Sequence, residues 1–323
     1  MKAGRVCLIG GGGYVGTTLA RRLLEEGRAV TVVDTFWFGD HLGTHPRLHK
    51  IEADIRRDGW VTDALTDVDA VVVLACLSND PMADLDPELT RAVNLDALKR
   101  VILDAKAHRA RRLIYASSSS VYGVQDVPRV VESTPLKPIT LYSRYKGEIE
   151  DFLNDHVDDG FVGVSVRSAT VCGYSPRMRL DLLLNLFCWL ALRQGTITIE
   201  GGSQVRPLIH MQDVVDFYVR LLDAEPRLIQ GEAYNVSSGN YTVQQVADMV
   251  SAYTGCALTY TGVVDARSYP LDAEKAERVL GFRTRRTINE AMVEVCEAIN
   301  AGRIDGTSAN FNLRRYRELV GAL

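Results

Sequence analysis

Short runs of β-branched and other apolar residues alternate with longer stretches of helical periodicity through the first half of the chain. The runs at 6–9, 29–33, 48–53, 70–74, 112–116 and 163–167 predict strands, and the periodic stretches at 14–26, 59–66, 88–108 and 141–158 predict helices between them. Apolar strands joined by helices need a parallel sheet covered on both faces, because each crossover lays a helix against the sheet. The fold class this predicts is α/β, a doubly wound parallel sheet. Beyond 167 the rhythm changes. An apolar helix is expected at 180–193, a turn at Gly201-Gly202, a strand and then a helix over 207–222, and helices at 242–254, 272–280 and 287–300. These read as a smaller mixed α/β lobe, followed by a polar stretch from Arg303 and a short helix at 313–320.

Composition narrows the class. With 323 residues, 46% of them hydrophobic, the chain can bury a large core. The formal charge of −4 is spread without a basic block, which argues against a nucleic-acid partner. The cysteines Cys7, Cys76, Cys172, Cys188, Cys256 and Cys296 are scattered in mostly apolar surroundings without a CxxC pair, a pattern that predicts a reducing cytoplasm. The chain shows no separate charged and apolar leader regions and no apolar run of about 18 residues, so neither a signal peptide nor a membrane span is expected.

The first strand runs straight into Gly10, Gly13 and Gly16 at GxxGxxG spacing, with Gly11 and Gly12 between them. Such a loop makes a tight turn and lets a pyrophosphate approach the helix N-terminus, whose free N–H groups and dipole favour an anion. Asp34 closes the next strand, where a carboxylate accepts from ribose hydroxyls. The same charge repels a 2′-phosphate, and no Lys or Arg follows until Arg47, so the expected cofactor is NAD and not NADP. Asp54, followed by Ile55, is placed to accept from the adenine amino group or else is a solvated loop acid.

Hydroxyls crowd the end of the 112–116 strand in Ser117-Ser118-Ser119-Ser120-Val121-Tyr122-Gly123, where open α/β sheets bind their ligands. Tyr142 and Lys146 lie four apart on a predicted helix and so share a face. An ammonium beside a phenol stabilises phenolate and prepares it for proton transfer. Tyr122 and Tyr145 are rival phenols, but neither has a lysine four residues later. His41, His45 and His49 have helical spacing, yet Gly43 and Pro46 interrupt any helix there, and no metal site is expected. His210, after Leu208-Ile209, reads as a packed histidine.

With the glycine loop, the serine-rich strand end and Tyr142-x3-Lys146 in hand, the chain resembles the extended short-chain dehydrogenase/reductases, in particular the nucleotide-sugar epimerases and dehydratases. The resemblance implies a Rossmann domain at 1–168 with a returning segment at about 207–237. A nucleotide-sugar lobe would then occupy 169–206 and 238–323, with a homodimer formed through 88–108 and 141–158. It implies Ser118, Tyr142 and Lys146 as the catalytic residues. Further cofactor contacts would come from Tyr14, Val15, Ile55, Leu74, Ala75, Asn94 and Ser117. It places Ser118, Ser119, Thr170, Asn185, Leu186, Arg206, Asp265, Arg267 and Tyr269 on a nucleoside-diphosphate sugar, where a bidentate guanidinium such as Arg206 suits a diphosphate.

The departures are informative. The 4,6-dehydratases of this family carry an acidic residue where this chain has Ser119 and Ser120, which argues against dehydration. Thr170 stands where the family commonly has Asn, and Gly262 where epimerases often have Arg, a role Arg267 would take from the other side. The expected activity is 4-epimerisation through transient oxidation at C4. The alternatives are a 4-ketoreductase of a 4-keto-6-deoxy nucleotide sugar and a non-catalytic NAD-bound sensor or scaffold.

Overall fold

The computed structural model describes residues 4–78, 85–262 and 268–321. Strands β1 (Arg5–Ile9), β2 (Ala29–Asp34), β3 (Leu48–Glu52), β4 (Ala70–Val73), β5 (Arg112–Ala116) and β6 (Val162–Ser168) form the sheet the alternation predicts. A strand from much later in the chain, Glu232–Val236, completes it in the order 3-2-1-4-5-6 and then this seventh strand, all parallel.

Two helical layers cover the sheet, and β1 shows why. Val6 and Leu8 enter the core formed with helix α1 (Tyr14–Glu25), while Cys7 and Ile9 enter the opposite one. That second layer contains α2 (Val61–Leu65), α3 and α4 (Leu141–Asn154). Helix α3 starts at Pro87–Arg91, capped by the Asp86 carboxylate with Pro87 in its first turn, passes through a π-helical turn at Ala92–Ala97 and ends as Leu98–Ala107. Helix α4 ends at Asn154, short of the expected 158.

The other lobe holds β7 (Thr170–Cys172), α5 (Leu183–Gln194), β8 (Thr196–Glu200) and β9 (Val205–His210). Strand β9 pairs with β7 and with Gly239–Thr242 in a separate three-stranded sheet, so the expected return to the main sheet at 207 is corrected. The rest of the expected returning segment does rejoin it: helix α6 (Met211–Asp223) packs onto the main sheet through Val214, Phe217 and Leu221, and Glu232–Val236 is its seventh strand. His210 is buried and caps α6, its Nδ1 accepting from the Gln212 N–H at 3.0 Å, in keeping with a structural histidine. No helix among the described residues is long and apolar enough to cross a membrane.

Candidate active site

The order of the main sheet reverses between β1 and β4, and a cavity of about 400 Å³ opens at the carboxyl ends of these strands. Gly10 turns the chain out of β1 with φ +84°, and a Cβ there would lie 2.4 Å from the Ala75 nitrogen. Gly16 lets α1 close on the loop, since its Cβ would come within 2.6 Å of the Gly11 Cα. The N-cap of α1, Gly13, offers no side-chain partner, which leaves first-turn N–H groups for a ligand. Gly10, Gly13, Tyr14, Val15 and Gly16 all line the cavity.

Asp34 reaches over this loop, its Oδ2 accepting from the Gly12 N–H and its Oδ1 from the Phe36 N–H, each at 2.9 Å. Burial pushes its carboxyl above the usual range, against those backbone bonds and the nearby Arg177. Asp54 also faces the cavity, but Arg56 grips it with Nε at 2.9–3.0 Å and Nη2 at 2.5 Å, so it is neither solvated nor open on all sides. Ile55, Leu74, Ala75 and Ser117 line the wall.

Asn94 does not line it. Its amide sits in the π-helical turn of α3 and closes on Leu77, Oδ1 accepting from the N–H at 2.8 Å and Nδ2 donating to the carbonyl at 3.0 Å. In the structure its side chain pins the loop after β4, a use in keeping with π-turns near functional sites.

The phenol, ammonium and hydroxyl groups expected to react gather at the other end. A capping box between Thr140 and Ser143 starts α4 just before Tyr142, which places that phenol in the first turn, against the cavity. The Lys146 Nζ donates to the Ala116 carbonyl at 2.6 Å and stands 5.5 Å from the centre of the Tyr142 ring. Ser118 accepts at Oγ from both the N–H (3.2 Å) and the hydroxyl (2.9 Å) of Ser120, which turns its own O–H outward as a donor. The rival phenols are committed elsewhere. Tyr122 is buried with its hydroxyl on Asn235 and Arg167, and Tyr145 packs beside the core behind α4.

Of the expected sugar-nucleotide contacts, Ser119, Thr170 and Tyr269 line the same cavity, and the Ser119 and Tyr269 hydroxyls meet at 3.1 Å. Asn185 lies behind the cavity wall. Its side chain is fully buried, Oδ1 accepting from the Gly173 N–H at 3.2 Å and Nδ2 donating to the Tyr14 hydroxyl and the Arg179 carbonyl. Leu186 faces a second hollow under Phe311 and Arg314, and Arg206 lies outside the cavity lining with Nη1 on the Val205 carbonyl. Asp265 and Arg267 fall outside the described residues.

The structure adds residues that spacing did not mark. Arg177 and Arg179 line the cavity from the segment after β7. Arg179 is forked onto Asp181 at 2.6 and 3.1 Å; burial alone would raise the Asp181 carboxyl, but Arg179 outweighs it and holds it low. Arg177 is buried over the face of Phe38, and its Nε and Nη1 have no hydrogen-bond partner. Burial, with Arg179 close by, pulls its guanidinium down to about 9. Behind the serine loop, Glu150 of α4 binds Arg167 and Ser117. Glu150 lies four residues after Lys146, a spacing that puts both on one helix face and was available as a signal.

A glycine cradle at a helix N-terminus, an acid for ribose hydroxyls and buried guanidinium N–H groups without partners together suit an anionic dinucleotide. The fold and site define a Rossmann enzyme with a phenol and an ammonium in its cofactor cavity. Residues 6–237 match the NAD dependent epimerase/dehydratase family, and the chain belongs to it. NAD is its cofactor.

The chain is 25% identical to a UDP-glucose 4-epimerase of Lactobacillus helveticus over 87% of this chain and 92% of that one. It is 31% identical to a probable UDP-arabinose 4-epimerase 3 of Arabidopsis thaliana over 77% and 68%. The structure of MoeE5 in complex with UDP-glucuronic acid and NAD superposes with a TM-score of 0.83 and 26% identity, over 93% of this chain and all of that one. Decarboxylases and dehydratases of sugar nucleotides are also among the similar proteins.

Proposed function

We propose that the protein is a nucleotide-sugar 4-epimerase. The observation that carries this reading is the chemistry of the cavity around Tyr142. Hydroxyls, a phenol and an ammonium converge there, while the carboxylates lining the cavity among the described residues lie elsewhere, Asp34 at the end of β2 and Asp54 just after β3. Expelling a hydroxyl by dehydration needs a further acid or base beside the leaving group, and Ser119 and Ser120 offer none.

In this reading Tyr142, as phenolate, takes the proton of the sugar 4-hydroxyl, and Ser118 donates a hydrogen bond to the same oxygen. Lys146 stabilises the phenolate through its charge over the ring. When bound, NAD supplies reversible hydride acceptance at the carbon bearing that hydroxyl. Between the two proton transfers the sugar is a flat 4-ketone; once it has turned its other face, Tyr142 returns the proton and the inverted alcohol leaves.

The test is incubation of the purified protein with UDP-glucose, UDP-galactose, their N-acetyl forms and UDP-glucuronic acid. A 4-epimer pair is expected to interconvert without added cofactor. Net loss of water or carbon dioxide, reduction that consumes added NAD(P)H, or no turnover on any of them overturns the reading.

Ser120 enters this scheme through Ser118. Ser120→Ala removes one of the two bonds that orient the Ser118 hydroxyl, and kcat is expected to fall about 5- to 10-fold, the scale of one neutral hydrogen bond, with KM nearly unchanged. Unchanged kcat would show that Ser118 orients itself.

A further inference from the structure

The short helix expected at 313–320, whose role the sequence did not mark, begins at the cavity. Asn312, which starts helix α7 (Asn312–Gly321), is 3% exposed and lines the cofactor cavity. Its Oδ1 accepts from the Arg177 Nη2 at 2.6 Å and its Nδ2 donates to the Ser78 hydroxyl at 2.8 Å. One side-chain amide thus joins the loop after β4 to the loop after β7.

The rest of the segment fastens it at both ends. Tyr316 is buried against Leu77 and Trp37, and its hydroxyl donates to Asp86 at 2.8 Å. The Arg315 Nε donates to the Trp37 carbonyl at 2.8 Å, and the Asn310 carbonyl accepts from the Leu180 N–H at 2.8 Å. Trp37 itself lines the cavity.

We propose that residues 308–321 form a strap that completes the cofactor site, with Asn312 as the positioning residue that fixes Arg177 toward the diphosphate of NAD. The diphosphate is the anionic part of the dinucleotide, and the unpartnered Nε and Nη1 of Arg177 are buried donors that require an anion or strong acceptor. A guanidinium with only Nη2 held is locked in orientation, so the donors meet the ligand without first losing freedom. Burial keeps the charge from being spent on solvent. NAD leaves when the strap lifts from Trp37 and Arg177. The inference rests on the cofactor and not on the epimerase reading, and measurements made without any sugar keep the two apart.

The experiment follows exchange of bound NAD for isotopically labelled NAD in the purified holoenzyme, together with thermal melts of cofactor-stripped protein. Asn312→Ala is expected to speed exchange about tenfold, the effect of losing a charge-assisted bond, while the stripped protein melts at nearly the wild-type temperature. In an Arg177→Met background the same change adds nothing more, because the partner it positions is gone. Tyr316→Phe, which loses only the bond to Asp86, is expected to speed exchange by a smaller factor and to fold normally. Wild-type exchange in folded Asn312→Ala or Tyr316→Phe protein, full additivity with Arg177→Met, or a lowered melt of stripped Asn312→Ala protein without faster exchange overturns the proposal.

Discussion

Tyr142→Phe is expected to lower turnover by about 10²-fold or more while the protein keeps its NAD, the scale of a lost general acid/base. The substitution removes one oxygen and leaves the ring where Lys146 faces it at 5.5 Å, so packing and cofactor contacts persist. The proton of the sugar hydroxyl then has no acceptor in the first turn of α4. Ser118 does not replace it, because its oxygen already accepts two bonds from Ser120 and its hydrogen points outward. Steady-state rates, with the bound cofactor assayed after denaturation, check this. Turnover near the wild-type rate would remove Tyr142 from the mechanism and return attention to the remaining hydroxyls of the cavity.

The largest expected loss of stability comes from Glu150→Ala. The Glu150 carboxylate is buried and receives Arg167 through Nε at 3.0–3.1 Å and Nη2 at 2.6 Å, together with the Ser117 hydroxyl. Burial alone would lower the Arg167 guanidinium, but Glu150 outweighs it and holds it charged. Truncation strands that charge, with only the Tyr122 hydroxyl and the Glu132 carbonyl left to it, and costs about 3–5 kcal/mol in urea unfolding. Replacing both partners, Glu150→Leu with Arg167→Met, is expected to recover most of that loss, since the unpaired charge is gone. A single Glu150→Ala cost below about 1 kcal/mol would mean that water reaches the pair.

Much of this architecture was legible because it rests on periodicity and local backbone demands. The alternation of the first half gave the strand order its material, and Gly10, Gly16 and Asp34 announce their roles by position after a strand. Lys146 and Tyr142 were legible as a helical pair. What spacing could not show depends on chain segments brought together from far apart. Arg177 carries no local mark, and its meaning appears only when the segment after β7 meets Asn312, well over a hundred residues away. The family resemblance of Asn185-Leu186 implied a ligand contact, yet folding spends the Asn185 amide on Gly173, Tyr14 and Arg179. Strand β9 reads like its predecessors in hydrophobicity, and nothing in a run of apolar residues says which of two sheets it joins.

The tie between Glu150, Arg167 and Ser117 sets which parts of the molecule can vary independently. The glycine loop, the serine loop and helix α4 all hang from one sheet, and this buried ion pair fastens the last two to each other. Tyr142, Lys146 and the glycine loop are therefore carried on one sheet. Thr170, by contrast, opens β7 in the other lobe and lies outside this tie, although the segment that follows it returns Arg177 to the cofactor cavity. In the proposed epimerase, a change of sugar is therefore expected to come through Thr170 and its neighbours, while Ser117, Glu150 and Arg167 stay as they are.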